Sequence, residues 1–292
     1  MIIAPGPASI KLGLKITELL GIRAVPIELK TFPDGESYIR YTEDIGGEDV
    51  VIVQNTCPPQ EVNLIQLLLL IDAAKDLKAK SVTAVVPYLA YARQMKRSRS
   101  GEAISVKAII KLIEKAGADL FITVDIHDKD IIKWFDIRVQ NLSAIPLLAS
   151  FLKDHGYAGA FSLAPDDGAL EANKEADKVL GGGYGCLYKD RDVITGEVKA
   201  KRTKFDVRGR DCVVFDDIVS TGETMEVAIK TLKNQGARRV YAACVHPILV
   251  AGAMERVLGS GAEGIIGTDS VPSNVSTVSI APIIAEALKR KA

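Results

Sequence analysis

Short apolar runs alternate with stretches of helical periodicity along almost the whole chain. VVIV (50–53), VTAVV (82–86), LFITV (120–124), CVVF (212–215) and VYAACV (240–245) are rich in β-branched residues and apolar on both faces. Runs of that kind form strands covered on both sides, the condition of a parallel sheet. Helical periodicity falls between them, over 60–77, 103–116, 143–154, 168–179, 222–235 and 249–258, with a last amphipathic stretch at 280–290. Gly117 and Gly236 stand just past two of these stretches, where a left-handed cap ends a helix. Strand–helix–strand alternation requires parallel sheets with right-handed crossovers. The pattern therefore predicts an α/β fold with mostly parallel sheets flanked by helices. The most apolar stretch, LIQLLLLIDAA (64–74), carries Gln66 and Asp72 and is shorter than the roughly 20 residues a membrane span needs, so it predicts a buried helix.

A length of 292 residues fits two domains. The boundary is expected near Asn141, giving domains 1–141 and 142–275, with the terminal segment 276–292 packing back on the first. An internal echo accompanies this division. EDVVIVQNTCPPQEVNLIQLLLLIDAAKDLKAKSVTAVVPYL (48–89) resembles RDCVVFDDIVSTGETMEVAIKTLKNQGARRVYAACVHPIL (210–249). Asp49 matches Asp211, and Gln54-Asn55 fall where Asp216-Asp217 stand. Either the two are copies, or two βαβ units simply look alike. If they are copies, only the second kept an acidic loop, and the chemistry is asymmetric.

Composition narrows the class. Lys plus Arg and Asp plus Glu each total 37, and this balance argues against a general nucleic-acid or membrane-surface binder. A local basic loop remains open. Apolar residues at 48% and charged residues at 25% exclude a disordered chain. The four cysteines, Cys57, Cys186, Cys212 and Cys244, form no C-x-x-C pair, so neither a zinc knuckle nor a disulfide framework is expected. The N-terminal segment lacks the pattern of a signal peptide, and the expected location is the cytoplasm. No G-x-x-x-x-G-K-[ST] loop occurs, and Gly181–Gly185 reads as a turn before a strand rather than a dinucleotide fingerprint.

VVFDDIVSTGET (213–224) carries the most chemistry. An apolar strand runs into two adjacent carboxylates, then a hydroxyl-rich loop, then a helix. Ligands of open α/β sheets collect at the carboxyl ends of strands. The free N–H groups and positive dipole end of the coming helix favour a phosphate, with Gly222 permitting close backbone approach and Ser220, Thr221 and Thr224 adding hydroxyl donors. Ionised Asp216 and Asp217 only accept hydrogen bonds, so they suit vicinal hydroxyls. A ligand with hydroxyls at one end and a phosphate at the other, such as a ribose 5-phosphate, matches this layout.

The stretch resembles the PRPP-binding motif of the type I phosphoribosyltransferase fold. Further segments, in order and spread over nearly the whole chain, resemble those of the ribose-phosphate pyrophosphokinase (PRPP synthase) family: FPDGES (32–37), PYLAYARQMKRSRSGE (87–102), DIHDKDIIKWF (125–135), LAPDDGAL (163–170) and YKDRD (188–192). The resemblance implies two tandem phosphoribosyltransferase-type, Rossmann-like domains. It implies transfer of the pyrophosphoryl group of ATP to the anomeric hydroxyl of D-ribose 5-phosphate, giving PRPP and AMP, with Mg2+. It assigns Phe32, Asp34, Gly35 and Glu36 to the adenine, and Arg93, Gln94 and His127 to ATP. His127 and Asp166 go to the metal, and Asp166 also to the ribose phosphate. Asp216, Asp217, Ser220, Thr221, Gly222, Glu223 and Thr224 go to ribose 5-phosphate, and Lys189 and Arg191 to the catalytic loop, with Arg191 also touching the sugar phosphate. It also implies a homodimer at least, because in the family the FPDGE loop reaches a neighbouring subunit. Met95 stands where the family has Asp, which puts one polar ATP contact in question. Two rivals remain: a transferase that consumes PRPP, and a non-catalytic regulatory relative of the synthase.

Overall fold

The computed structural model describes residues 1–191, 198–200 and 203–290, without the side chains of 189–191 and 198–200. The chain divides into two compact units, residues 1–142 with 279–292, and residues 143–278.

The first unit opens with β1 (Ile2–Pro5), α1 (Ile10–Leu20), β2 (Ile27–Thr31) and β3 (Ser37–Tyr41). It continues through β4 (Asp49–Val53), α2 (Gln60–Asp76), β5 (Ser81–Val85), α3 (Ser105–Ala116), β6 (Leu120–Val124) and β7 (Arg138–Leu142). Five of the strands form one parallel sheet in the order β1-β4-β5-β6-β7. The apolar runs at 50–53, 82–86 and 120–124 are its three inner strands, which explains why they are apolar on both faces. Stretch 64–74 lies inside α2, where Leu67, Leu70, Ile71 and Ala74 are fully buried against the sheet. Gly117 caps α3 in the left-handed conformation. β2 and β3 pair only with each other, as an antiparallel hairpin whose turn is the 32–36 segment. It is tied to α2 by Tyr41 Oη donating to Leu70 O at 2.9 Å and by Gln66 Nε2 donating to Ser37 Oγ at 3.2 Å.

The second unit runs α4 (Ile145–Leu152), β8 (Phe161–Ala164), α5 (Leu170–Leu180), β9 (Tyr184–Cys186), β10 (Lys189–Arg191), β11 (Val198–Ala200) and β12 (Cys212–Val219). It ends with α6 (Glu223–Asn234), β13 (Val240–Pro247), α7 (Ala253–Gly259), β14 (Gly264–Thr268) and β15 (Ser276–Val278). Six strands form a parallel sheet ordered β15-β14-β13-β12-β8-β9, with β12 and β13 at its centre. β10 and β11 make a separate antiparallel pair. The chain then closes with α8 (Ala281–Lys289), which belongs to the first unit and packs on α1, where Lys15 Nζ donates to Ser279 Oγ. All four cysteines are buried and unbridged, as small core residues.

Two elements depart from the sequence expectation. The central strand continues to Val219 instead of ending at Phe215, because β13 pairs with it as far as Pro247. The stretch 249–258 is not helical throughout; α7 begins only at Ala253, after a turn in which Leu249 (φ +47°) and Ala251 (φ +53°) are left-handed.

The start of β12 is latched to that of β13 by one carboxylate. Asp211 accepts from Arg238 Nε and Nη2 at 2.8 and 2.6 Å, and from Arg239 Nε and Nη2 at 3.1 and 2.6 Å. These two guanidinium groups hold its carboxyl well below the usual carboxylate range. A carboxyl whose folded pKa is depressed stabilises the fold above its unfolded pKa of about 4 and loses that contribution as pH falls below it. Asp211→Asn is therefore expected to cost about 1–3 kcal/mol near pH 7. Calorimetric melting across pH should show the gap between variant and parent narrowing below about pH 4.

Candidate active site

The site of the second unit grows from the unequal lengths of its central strands. β8 pairs with β12 only along Cys212–Val214. β12 runs on for five more residues beside β13, so Asp216 and Asp217 sit half-buried at the carboxyl edge of the sheet. Burial pushes the Asp216 carboxyl well above its ordinary pKa, and the charges of Asp217 and Asp166 add to the shift. Asp166 follows β8 directly and opens the 3-10 turn 167–169 that leads into α5. Its charge and that of Asp167 are also felt at the Cys186 thiol, which burial, the larger cause, raises to about 11. Three carboxylates placed by two adjacent strands thus crowd negative charge at the carboxyl edge of the sheet. Asn173 of α5, fully buried, props this edge by donating to Ala169 O at 2.9 Å and to Phe215 O at 3.0 Å.

Beyond Val219 the backbone turns into α6. Gly222 is left-handed (φ +80°), and a Cβ there would stand 3.2 Å from Ala253 O and 3.3 Å from Val257 Cγ2, so the turn admits only glycine without strain. Among the described residues, no backbone carbonyl accepts from the N–H groups of Ser220, Thr221, Gly222, Glu223 or Thr224. Consecutive free N–H groups at a helix N-terminus make an anion-binding nest. Carboxylates on the strand and an N–H nest on the following loop separate a hydrogen-bond-accepting end from a hydrogen-bond-donating end.

The equivalent strand end in the first unit is closed. Gln54 and Asn55, at the end of β4, are fully buried and spend their amides on the protein itself. Gln54 Oε1 accepts from Ala8 N at 3.0 Å, and Gln54 Nε2 donates to Asn63 O at 3.2 Å. Asn55 Oδ1 accepts from Cys57 N at 2.9 Å, and Asn63 Nδ2 returns a bond to Cys57 O at 2.7 Å. The echo therefore carries half-buried carboxylates at one strand end and fully buried amides bonded to the protein itself at the other.

The remaining candidates of the first unit occupy loops at strand ends and at the hairpin tip. Phe32 is 47% exposed, with Tyr38 edge-on to its ring at 6.2 Å. Its turn is closed by Phe32 N donating to Glu36 O at 2.8 Å and Gly35 N to Phe32 O at 2.8 Å, while Asp34 Oδ1 accepts from Glu36 N. After β5, Arg93 is exposed, and Gln94 Oε1 accepts from Ser105 Oγ at 2.6 Å. The basic segment behind them wraps Glu102, whose Oε2 accepts from the N–H groups of Ser98 and Arg99 at 2.7 and 3.0 Å. His127, exposed, follows β6 next to Asp125, which is left-handed at φ +38°. His127 belongs to the first unit and Asp166 to the second. The side chains of Lys189 and Arg191 lie outside the described residues; their backbone forms β10, paired with β11 through Lys189–Ala200 and Arg191–Val198. No group of three or more His, Cys, Asp or Glu side chains able to hold a metal ion occurs among the described residues. No described helix is long and apolar enough to cross a membrane.

Comparison with known proteins adds a family to this geometry. Residues 1–117 match the model of the N-terminal domain of ribose phosphate pyrophosphokinase, and residues 163–256 match that of the phosphoribosyl transferase domain. The chain is 43% identical over 286 residues to the ribose-phosphate pyrophosphokinase of Methanothermobacter thermautotrophicus, covering 97% of this chain and 98% of that one. It is 39% identical over 293 residues to the enzyme of the same name from Sulfolobus acidocaldarius, covering 100% of both. The fold matches the crystal structure of phosphoribosylpyrophosphate synthetase from Mycobacterium smegmatis with a TM-score of 0.89 at 29% identity, over 99% of this chain and 98% of that one.

Proposed function

The chain belongs to the ribose-phosphate pyrophosphokinase family, and on that footing we propose that it transfers the pyrophosphoryl group of ATP to the anomeric hydroxyl of D-ribose 5-phosphate, releasing AMP and PRPP. The observation that carries the reading is the pairing of Asp216 and Asp217 with the open N–H nest of Ser220–Thr224 on one strand–loop–helix. The nest takes the 5-phosphate, with the Ser220, Thr221 and Thr224 hydroxyls and the start of α6 at Glu223 framing it. The two carboxylates accept from the ribose hydroxyls, and Asp166 and Arg191 complete the sugar-phosphate contacts. Phe32 stacks on adenine while Asp34 and Glu36 accept from its exocyclic amine, Gly35 leaving the turn open. Arg93, Gln94 and His127 receive the rest of ATP. Lys189 and Arg191 act on the group in flight.

Magnesium fits the donor set. The carboxylates are hard oxygen donors whose crowding favours a cation, and the described residues offer no closed protein cage. Magnesium keeps its waters and needs only one or two protein groups beside substrate phosphates; Asp166 and His127 are the residues proposed to hold it. When bound, it supplies charge neutralisation on the diphosphoryl oxygens. The protein's own part is to align the anomeric hydroxyl with the β-phosphorus and to meet the developing charge with cations. The reading includes a homo-oligomer of at least two chains, which the family's FPDGE loop implies, and a cytoplasmic location.

The test supplies ATP and ribose 5-phosphate alone, with and without magnesium, and follows AMP. Magnesium-dependent AMP release equal to PRPP formed is expected. A PRPP-consuming transferase releases no AMP under these conditions, and a non-catalytic relative binds substrate without turnover; either result overturns the reading.

A further inference from the structure

The carbonyl side of the phosphate loop is as ordered as its N–H side is open. Four consecutive carbonyls are each taken by a donor outside the nest. Leu249 N donates to Val219 O at 2.9 Å and Val250 N to Ser220 O at 3.0 Å. The Arg256 guanidinium donates to Thr221 O, and Glu226 N donates to Gly222 O at 2.8 Å. A trans peptide is planar, with its C=O and the next residue's N–H antiparallel. Pinning the carbonyls of 219–222 away from the nest therefore aims the N–H groups of 220–223 into it.

Three of these donors come from residues 249–256, a segment with no direct place in substrate recognition. Its turn carries two non-glycine left-handed residues, Leu249 and Ala251, flanking the Val250 that donates to the loop. Such strain persists where the surrounding bonds over-determine it. α7 then lays Ala253 and Val257 against Gly222. Three of the four loop carbonyls are held by backbone N–H groups, which no substitution short of proline removes. The Thr221 carbonyl alone depends on a side chain, that of Arg256, which also pairs with Glu226 at 3.5 Å.

We propose that Arg256 is a positioning residue for ribose 5-phosphate, holding the Thr221–Gly222 peptide so that the Gly222 N–H faces the phosphate. It touches the loop from behind and not the substrate. The inference rests on the proposed reading of the loop as the sugar-phosphate site.

The test compares Arg256→Ala, Arg256→Gln and Arg256→Lys with the parent enzyme and with Lys230→Ala, which breaks the neighbouring surface pair to Glu226. Steady-state constants for each substrate are combined with calorimetric binding of ribose 5-phosphate in the absence of ATP. Loss of one charge-assisted hydrogen bond predicts about a tenfold rise in KM and Kd for ribose 5-phosphate in Arg256→Ala. The KM for ATP should stay within about twofold, Lys should rescue more than Gln, and added guanidinium ion should restore part of the loss in the Ala variant. Lys230→Ala should match the parent. Unchanged ribose 5-phosphate constants in a variant with parental melting, or equal rises for both substrates, overturn the positioning role. If Arg256→Ala does not fold, the Lys and Gln variants decide on the same split. A parent enzyme that binds no ribose 5-phosphate sinks the underlying reading instead, so the two failures are distinct.

Discussion

Lys189→Ala should lower turnover by about 10²–10³-fold, the usual cost of removing one charge-stabilising donor from a preorganised site. Binding of ribose 5-phosphate should be nearly kept. The argument joins position to chemistry. Lys189 opens β10, an antiparallel pair with β11 that belongs to neither main sheet. The proposed sugar-phosphate nest is built on another element, the β12–α6 loop, and its N–H groups need nothing from Lys189. In pyrophosphoryl transfer the nucleophile is a plain hydroxyl, and the protein contributes alignment and neutralisation of charge on the moving group. A cation at that point acts on the transition state more than on either bound substrate, so its loss falls on kcat and kcat/KM together. Lys189→Arg should recover part of the rate. Single-turnover AMP release with calorimetric ribose 5-phosphate binding separates the two effects. Near-normal turnover, or a loss seen only in substrate affinity, overturns the assignment.

The legibility of the chain follows from where each signal lives. Inner strands β4, β5, β6, β12 and β13 read as apolar runs because helices cover both faces of the sheet. Edge strands read poorly. β7 is RVQNL and half-buried, and β15 is only Ser276–Val278. The β2–β3 hairpin is largely exposed on β2, so IELKT shows no buried face to detect. Asp216 and Asp217 read as the end of a strand because carboxylates normally end one; β13 pairing carries the strand through them. Likewise 249–252 has an apolar pattern compatible with a helix, but the Leu249 and Val250 N–H groups serve the end of β12 and the loop that follows it. The nest itself was readable, being one contiguous segment whose residue types state its chemistry. Asn173 and Arg256 were not, since the sheet order β13-β12-β8 and the packing of α7 bring them to the loop from 42 and 35 residues away. The Gln54–Asn55 counterpart shows the same limit: the echo is visible in the chain, but only the hydrogen bonds show that its amides are spent internally.

Asp216→Asn should weaken ribose 5-phosphate binding and stabilise the fold at once. Asp216 sits among like charges at the edge of the sheet, and its pKa is raised first by burial, then by Asp217 and Asp166. A free carboxyl has a pKa of about 3.9, so between that value and the raised one the folded protein holds a proton that the unfolded chain has released. Stability changes with pH in proportion to the protons bound unfolded minus those bound folded; here that difference is negative. Stability contributed by Asp216 is thus greatest in acid and falls as pH rises through the folded pKa. Asparagine has no charge to hold in that place. The variant should melt higher than the parent near pH 8, by about 2–4 °C for each kcal/mol relieved, with the advantage shrinking toward about pH 5. The same change removes a charged acceptor from the proposed ribose hydroxyl contact, and such bonds are worth about 1.5–3 kcal/mol, or roughly 10–150-fold in affinity. Substrate should act on the parent in the same sense as the mutation, raising its melting temperature through ligation. Melting curves from about pH 5 to pH 9, with and without ribose 5-phosphate, read both effects in one experiment. A variant that binds the sugar phosphate as well as the parent removes Asp216 from the site, and one whose melting difference from the parent does not change with pH removes it from the electrostatic argument.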